Sequence, residues 1–143
     1  MADETNQLRV RLVTPERTLF EHPASAVELP AKNGYMEVLY GHAPLVAELG
    51  AGDVVVHGGP DGEASLSRYN VSWGFAEVLP DRVTILAADA LKPEEIDVPR
   101  AHQQLDRGHE EWKQAGDSED AYTQALRVIA EAEAKIATAA EQH

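Results

Sequence analysis

The hydrophobic rhythm of the chain changes near residue 90, and no single repeating architecture satisfies both halves. Before that point apolar residues recur at a period close to two. Leu8, Val10 and Leu12 alternate with Arg9, Arg11 and Val13, and segments 26–30, 35–39, 53–57, 64–71, 74–79 and 82–86 are short and rich in β-branched or aromatic residues. Turn chemistry separates them: Thr14-Pro15-Glu16, Lys32-Asn33-Gly34, Gly41-His42-Ala43-Pro44, Gly58 to Gly62, and Leu79-Pro80-Asp81. Short strands with no helical crossover between them predict an antiparallel sandwich or flattened barrel over residues 1–90.

After residue 90 the spacing becomes helical. Asp97 can cap a helix whose first turn accepts Pro99, because the missing N–H has no partner there in any case. Val98, Ala101, Leu105, Gly108, Trp112 and Ala115 follow at steps of three and four, which places them on one face. Gly116 closes this helix and Asp117 or Ser118 caps the next, whose face is Tyr122, Ala125, Ile129, Ala132, Ile136 and Ala139. Residues 91–143 therefore read as a two-helix hairpin. Its facing residues are mostly alanine, so each helix forms readily while the pairing buries little apolar area.

The chain carries 25 Asp+Glu against 12 Lys+Arg, a net charge of −13. Such a surface repels phosphate backbones and anionic lipid, which excludes a general nucleic-acid binder and direct membrane association. No apolar run approaches the roughly 18 residues of a membrane helix, and residues 1–7 are polar and acidic, unlike a signal peptide. With no cysteine there is no disulfide scaffold, thiolate zinc site or cysteine nucleophile.

The remaining chemistry is sparse. His22, His42 and His57 stand singly in or beside turns, and His102 and His109 are about 10 Å apart along a helix, so no metal site is expected. The serines lack a Gly-x-Ser-x-Gly elbow and no phosphate-cradling Gly-x-x-x-x-Gly-Lys occurs. No catalytic residue is assigned, and the residues alone describe a two-part binding or structural protein.

Three stretches carry the reading further: Val-Arg-Leu-Val-Thr-Pro-Glu at 10–16, Gly-Tyr-Met-Glu-Val-Leu-Tyr-Gly-His-Ala-Pro-Leu at 34–45, and Gly-Phe-Ala-Glu-Val-Leu-Pro-Asp-Arg-Val-Thr-Ile-Leu-Ala at 74–87 followed by Ile-Asp-Val-Pro-Arg-Ala at 96–101. In this order and spacing the chain resembles the epsilon subunits of bacterial F-type ATP synthases. The resemblance implies a sandwich of about ten strands that binds the gamma subunit and the c-ring, and a C-terminal hairpin. It implies a non-catalytic rotor subunit of the central stalk, peripheral on the cytoplasmic face of the bacterial inner membrane. The helices would extend toward the alpha and beta subunits to restrain ATP hydrolysis. The alanine-rich seam suits such a switch, which requires two packings only a few kcal/mol apart.

On this resemblance Tyr35, Glu37, Tyr40, His42 and Pro44 are the candidate gamma and c-ring interface, although Tyr35, Glu37 and Tyr40 replace the family's usual acid, glycine and proline. Trp73 replaces a common glycine. Ile96, Asp97, Arg100 and Ala101 match an ATP-binding pattern of some members, with Arg107 as a further cation. The family's second-helix arginines are absent, and Glu131 and Lys135 occupy that region, so ATP is expected only as a weak regulatory ligand, with no other cofactor. Residues 91–143 hold 12 acids against 6 Lys+Arg, which predicts weak or conditional inhibition. A stand-alone nucleotide-sensing module using Asp97 and Arg100 is the alternative, and a small β-barrel enzyme with a histidine site a third reading.

Overall fold

The computed structural model describes residues 7–141; the polar N-terminal stretch before Gln7 and the last two residues lie outside it. The chain divides into two compact units, Met1–Leu91 and Lys92–His143.

The first unit is all β: β1 (Leu8–Val13), β2 (Thr18–Ala24), β3 (Ala26–Ala31), β4 (Gly34–Leu39), β5 (Leu45–His57), β6 (Leu66–Leu79) and β7 (Arg82–Leu91). They hydrogen-bond in the order β2-β1-β7-β6-β5-β3-β4, antiparallel except where β1 runs parallel to β7. Two-residue turns, Lys32-Asn33 and Pro80-Asp81, close the β3–β4 and β6–β7 hairpins.

This sheet folds over itself. Phe20 of β2 and Tyr69 of β6 have ring centroids 6.3 Å apart, whereas strands three places apart in a flat sheet are separated by about 14 Å. One core cluster accordingly draws on all seven strands, with Leu8, Leu12, Leu29, Leu49, Val54 and Ile85 among its buried members.

The fold-over is written into the alternation of the three long strands. In β6 the core residues are Tyr69 and Val71, then Ala76 and Val78, so the inward face changes from odd to even positions. Trp73 (φ +62°) and Gly74 (φ +121°) sit at the change. In β5 the core passes from Leu49 to Val54 and Val56, and in β7 from Ile85 and Ala87 to Ala90. Leu49, Gly74 and Ala87 are cross-strand neighbours, so all three strands switch at one level without slipping register.

The resemblance implies about ten strands; the structure forms seven, because β5, β6 and β7 each run unbroken through the corner. Sequence rhythm breaks β6 between Val71 and Gly74, where the structure keeps one hydrogen-bonded strand through the corner. Two stretches of strand go beyond the sequence reading: β2, whose Glu-His-Pro run gives no apolar alternation, and the first half of β5, which carries Gly50 and Gly52.

The second unit contains α1 (Val98–Gln114) and α2 (Glu119–Ala140). Asp97 caps α1, its carboxylate accepting the Arg100 N–H at 3.1 Å, and Ser118 caps α2, its hydroxyl oxygen accepting the Ala121 N–H at 3.2 Å. The buried residues are Ala101 and Gly108 on α1, and Ala125, Val128, Ala132, Thr138 and Ala139 on α2. Val128 and Thr138 thus join the buried stripe. Trp112 and Tyr122, expected there, are 46% and 43% exposed and instead contact each other at a tilt of 45° at the hairpin tip, centroids 6.3 Å apart.

Candidate functional site

Edge strand β4 and the loop after it hold the expected interface residues. Alternation along β4 sends Met36 and Val38 inward and Tyr35, Glu37 and Leu39 outward. Tyr35 is 62% exposed, yet its ring reaches over β3 to β5. Its hydroxyl oxygen accepts the Asp53 N–H at 2.8 Å, and a β-carbon on Gly52 would stand 2.5 Å from it. Gly52 is therefore the vacancy that lets Tyr35 lie across the sheet.

The loop beyond is pinned at Gly41, whose N–H donates to the Pro80 carbonyl in the β6–β7 turn at 2.6 Å. His42 donates its backbone N–H to Leu39 O at 3.2 Å, and its Nδ1 donates to the Ala43 carbonyl at 2.7 Å. This second bond fixes the ring tautomer and leaves Nε2 as the acceptor nitrogen. Tyr40 and Pro44 are exposed beside it. Tyr35, Leu39, Tyr40 and Pro44 thus form an exposed, largely apolar rim on β4 and its loop. Glu37 departs from the group: its cross-strand partner is Glu28, and it faces a carboxylate.

A second exposed apolar strip was not among the sequence candidates. Phe75 and Leu86 are direct cross-strand partners, 55% and 52% exposed. Leu86 pairs in turn with Val13, and Val46 is 70% exposed on β5. A hollow of about 430 Å³ lies against this strip, lined by Val13, Thr14, Pro15, Gly74, Leu86, Ala87 and Ala88. The signal was present in 74–79, where Phe75 alternates with inward Ala76 and Val78 and so stands on the outward face beside Glu77.

The candidate nucleotide residues are less converged. Asp97 is committed to its cap, Ala101 is buried, and Arg107 pairs with Glu111 along its own helix at 3.6 Å. Glu131 accepts from Gln104 Nε2 at 3.3 Å, so an acid of α2 is tied to α1. Arg100 is exposed and has no ion pair among the described residues.

A folded-over β-sandwich with exposed apolar rims, followed by a helical hairpin, has the build of a docking protein. Residues 7–93 match the family model of the ATP synthase delta/epsilon chain β-sandwich domain. The ATP synthase epsilon chain of Solibacter usitatus is 39% identical over 132 residues, 92% of this chain and 95% of that one. That of Koribacter versatilis is 41% identical over 107 residues, 73% of this chain and 71% of that one. Among solved structures, one from the Euglena gracilis mitochondrial ATP synthase OSCP/F1/c-ring assembly superposes with a TM-score of 0.77 at 25% identity, covering 96% of this chain and 82% of that one. The chain belongs to the ATP synthase epsilon family.

Proposed function

We propose that this chain is a non-catalytic central-stalk subunit of an F-type ATP synthase, docking on the gamma subunit and the c-ring and carrying rotation between the ring and the catalytic head. The observation that carries the reading is the pair of exposed apolar surfaces on a family-matched sandwich, the Tyr35–Tyr40 rim with its His42 loop and the Phe75–Leu86 strip. Lone exposed apolar residues are ordinary, but contiguous ones on a rigid sheet mark partner surfaces. The hairpin is the regulatory arm, reaching the alpha and beta subunits when extended, and the complex holds the chain at the cytoplasmic face of the membrane. No helix among the described residues is long and apolar enough to cross a membrane.

Co-purification with a gamma subunit tests the reading. The natural chain should be retained on immobilised gamma, and retention should fall when Phe75 and Leu86 are both replaced by serine with the sandwich still folded. Failure of the natural chain to bind gamma would refute it.

A further inference from the structure

The sheet register gathers three metal-ligating side chains that are widely separated in sequence. Glu28 on β3 lies directly opposite Glu37 on β4. Ala26, two residues before Glu28 and on the same face, lies opposite His57 on β5. One ligand atom from each of Glu28, Glu37 and His57 falls within 4.8 Å of the others, and His57 Nε2 is 2.5 Å from Glu28 Oε2.

The His57–Glu28 pair accounts for two of these side chains, but nothing in the fold accounts for Glu37 beside them. Two carboxylates facing each other across an antiparallel pair repel, and they do so in a chain of net charge −13. His57 touches Glu28, but Glu37 has no hydrogen-bond or ion-pair partner among the described residues. Arg68, on the same face opposite Val55, donates to Asp53 Oδ2 at 2.9 Å.

We propose that Glu28, Glu37 and His57 bind a divalent transition metal of the zinc type, tying edge strand β4 to β3 and β5. Metal–ligand bonds of about 2.0–2.2 Å bring donor atoms to within about 4.4 Å of one another. The observed spacing closes to that with small rotations of two glutamates that are half-buried and exposed. One imidazole nitrogen with two carboxylate oxygens suits zinc or manganese better than magnesium or calcium, which take all-oxygen sets. Two carboxylates neutralise the ion, converting a repulsive pair into a charge-balanced one, and water completes the coordination. β4 leads into Tyr40 and the His42 loop, so the metal would stiffen the edge that carries the candidate interface.

Calorimetric titration of the full chain with zinc chloride tests this site. One saturable equivalent is expected, weakened roughly tenfold or more by Glu37→Gln and by His57→Gln and unaffected by His22→Gln. Zinc should also raise the unfolding midpoint of the natural sandwich and leave that of Glu37→Gln unmoved. These surface substitutions keep the fold, which circular dichroism would verify. Binding that survives either Glu37→Gln or His57→Gln, or no saturable binding below millimolar zinc, would overturn the assignment.

Discussion

Gly108 of α1 sits flush against Ile129 of α2: a β-carbon at Gly108 would stand 2.8 Å from Ile129 Cγ1 and 3.1 Å from Val128 Cγ1. Two effects oppose each other at this position. Alanine would improve helix propensity by about 1 kcal/mol. Overpacking a tight contact costs about 1–3 kcal/mol, and the crowded atoms belong to β-branched side chains that have few alternative rotamers. Gly108→Ala should therefore loosen the hairpin, seen as faster amide exchange in both helices. Slower exchange would mean that propensity dominates.

The corner of the sandwich gives a larger effect. Gly74 has φ +121°, and a β-carbon there would be 2.1 Å from the Leu86 carbonyl oxygen. That oxygen belongs to a strand paired on both sides, so it cannot retreat without breaking the ladder. Gly74→Ala should lower sandwich stability by more than about 3 kcal/mol in urea unfolding. A loss below about 1 kcal/mol would show that the corner yields.

Interface substitutions should behave in the opposite way. Phe75 and Leu86 are more than half exposed, so alanine at either position removes little buried area and should change stability by less than about 1 kcal/mol. Their loss from a docked surface should weaken gamma binding roughly tenfold or more. His42→Ala and Pro44→Ala should weaken it as well, because the His42 loop is held by its own backbone bonds and its ring is free to contribute Nε2. Full-affinity binding by all four variants would move the interface elsewhere.

Most of the architecture was legible because local rules and tertiary packing agree. Asp97, Ser118 and Gly116 punctuate the hairpin where capping chemistry says they should, and the strand turns fall at Lys32-Asn33 and Pro80-Asp81. The continuity of β6 was not legible, because a corner that switches the inward face looks like a strand end to a period-two reading. The hairpin tip was misjudged since Trp112 and Tyr122 satisfy helical spacing equally well whether buried or paired with each other. For the site, the resemblance pointed to Tyr35 and Tyr40, and strand alternation in the structure adds Leu39 to the same face as Tyr35. The meeting of Glu28, Glu37 and His57 depends on register across three strands, and only hydrogen-bond pairing sets it.

Nucleotide binding at Ile96-Asp97-Val98-Pro99-Arg100-Ala101 should be weak. A triphosphate needs several convergent cations, because single exposed charges contribute little. Arg107 is paired with Glu111, and Glu131 presents an acid from the facing helix. Calorimetry with ATP should show dissociation in the millimolar range. Submillimolar affinity abolished by Arg100→Ala would establish a nucleotide site despite these pairings.

The charge of the hairpin bears on regulation. An arm that restrains rotation by entering the catalytic head is expected to use basic side chains against acidic surfaces, yet residues 91–143 hold 12 acids and 6 Lys+Arg. Part of that small basic set is committed within the hairpin, as at Arg107 with Glu111. Such an arm gains little electrostatic attraction to an acidic surface, and that attraction is screened further at physiological salt. Truncation belongs after Leu91, because Leu91 still pairs with Asn70 and completes β7. In the assembled enzyme this truncation should change ATP hydrolysis less than about threefold, a barrier change below about 0.7 kcal/mol. A tenfold or greater rise would mean that contacts other than charge, such as the exposed Trp112 and Tyr122 pair, anchor the arm in the head.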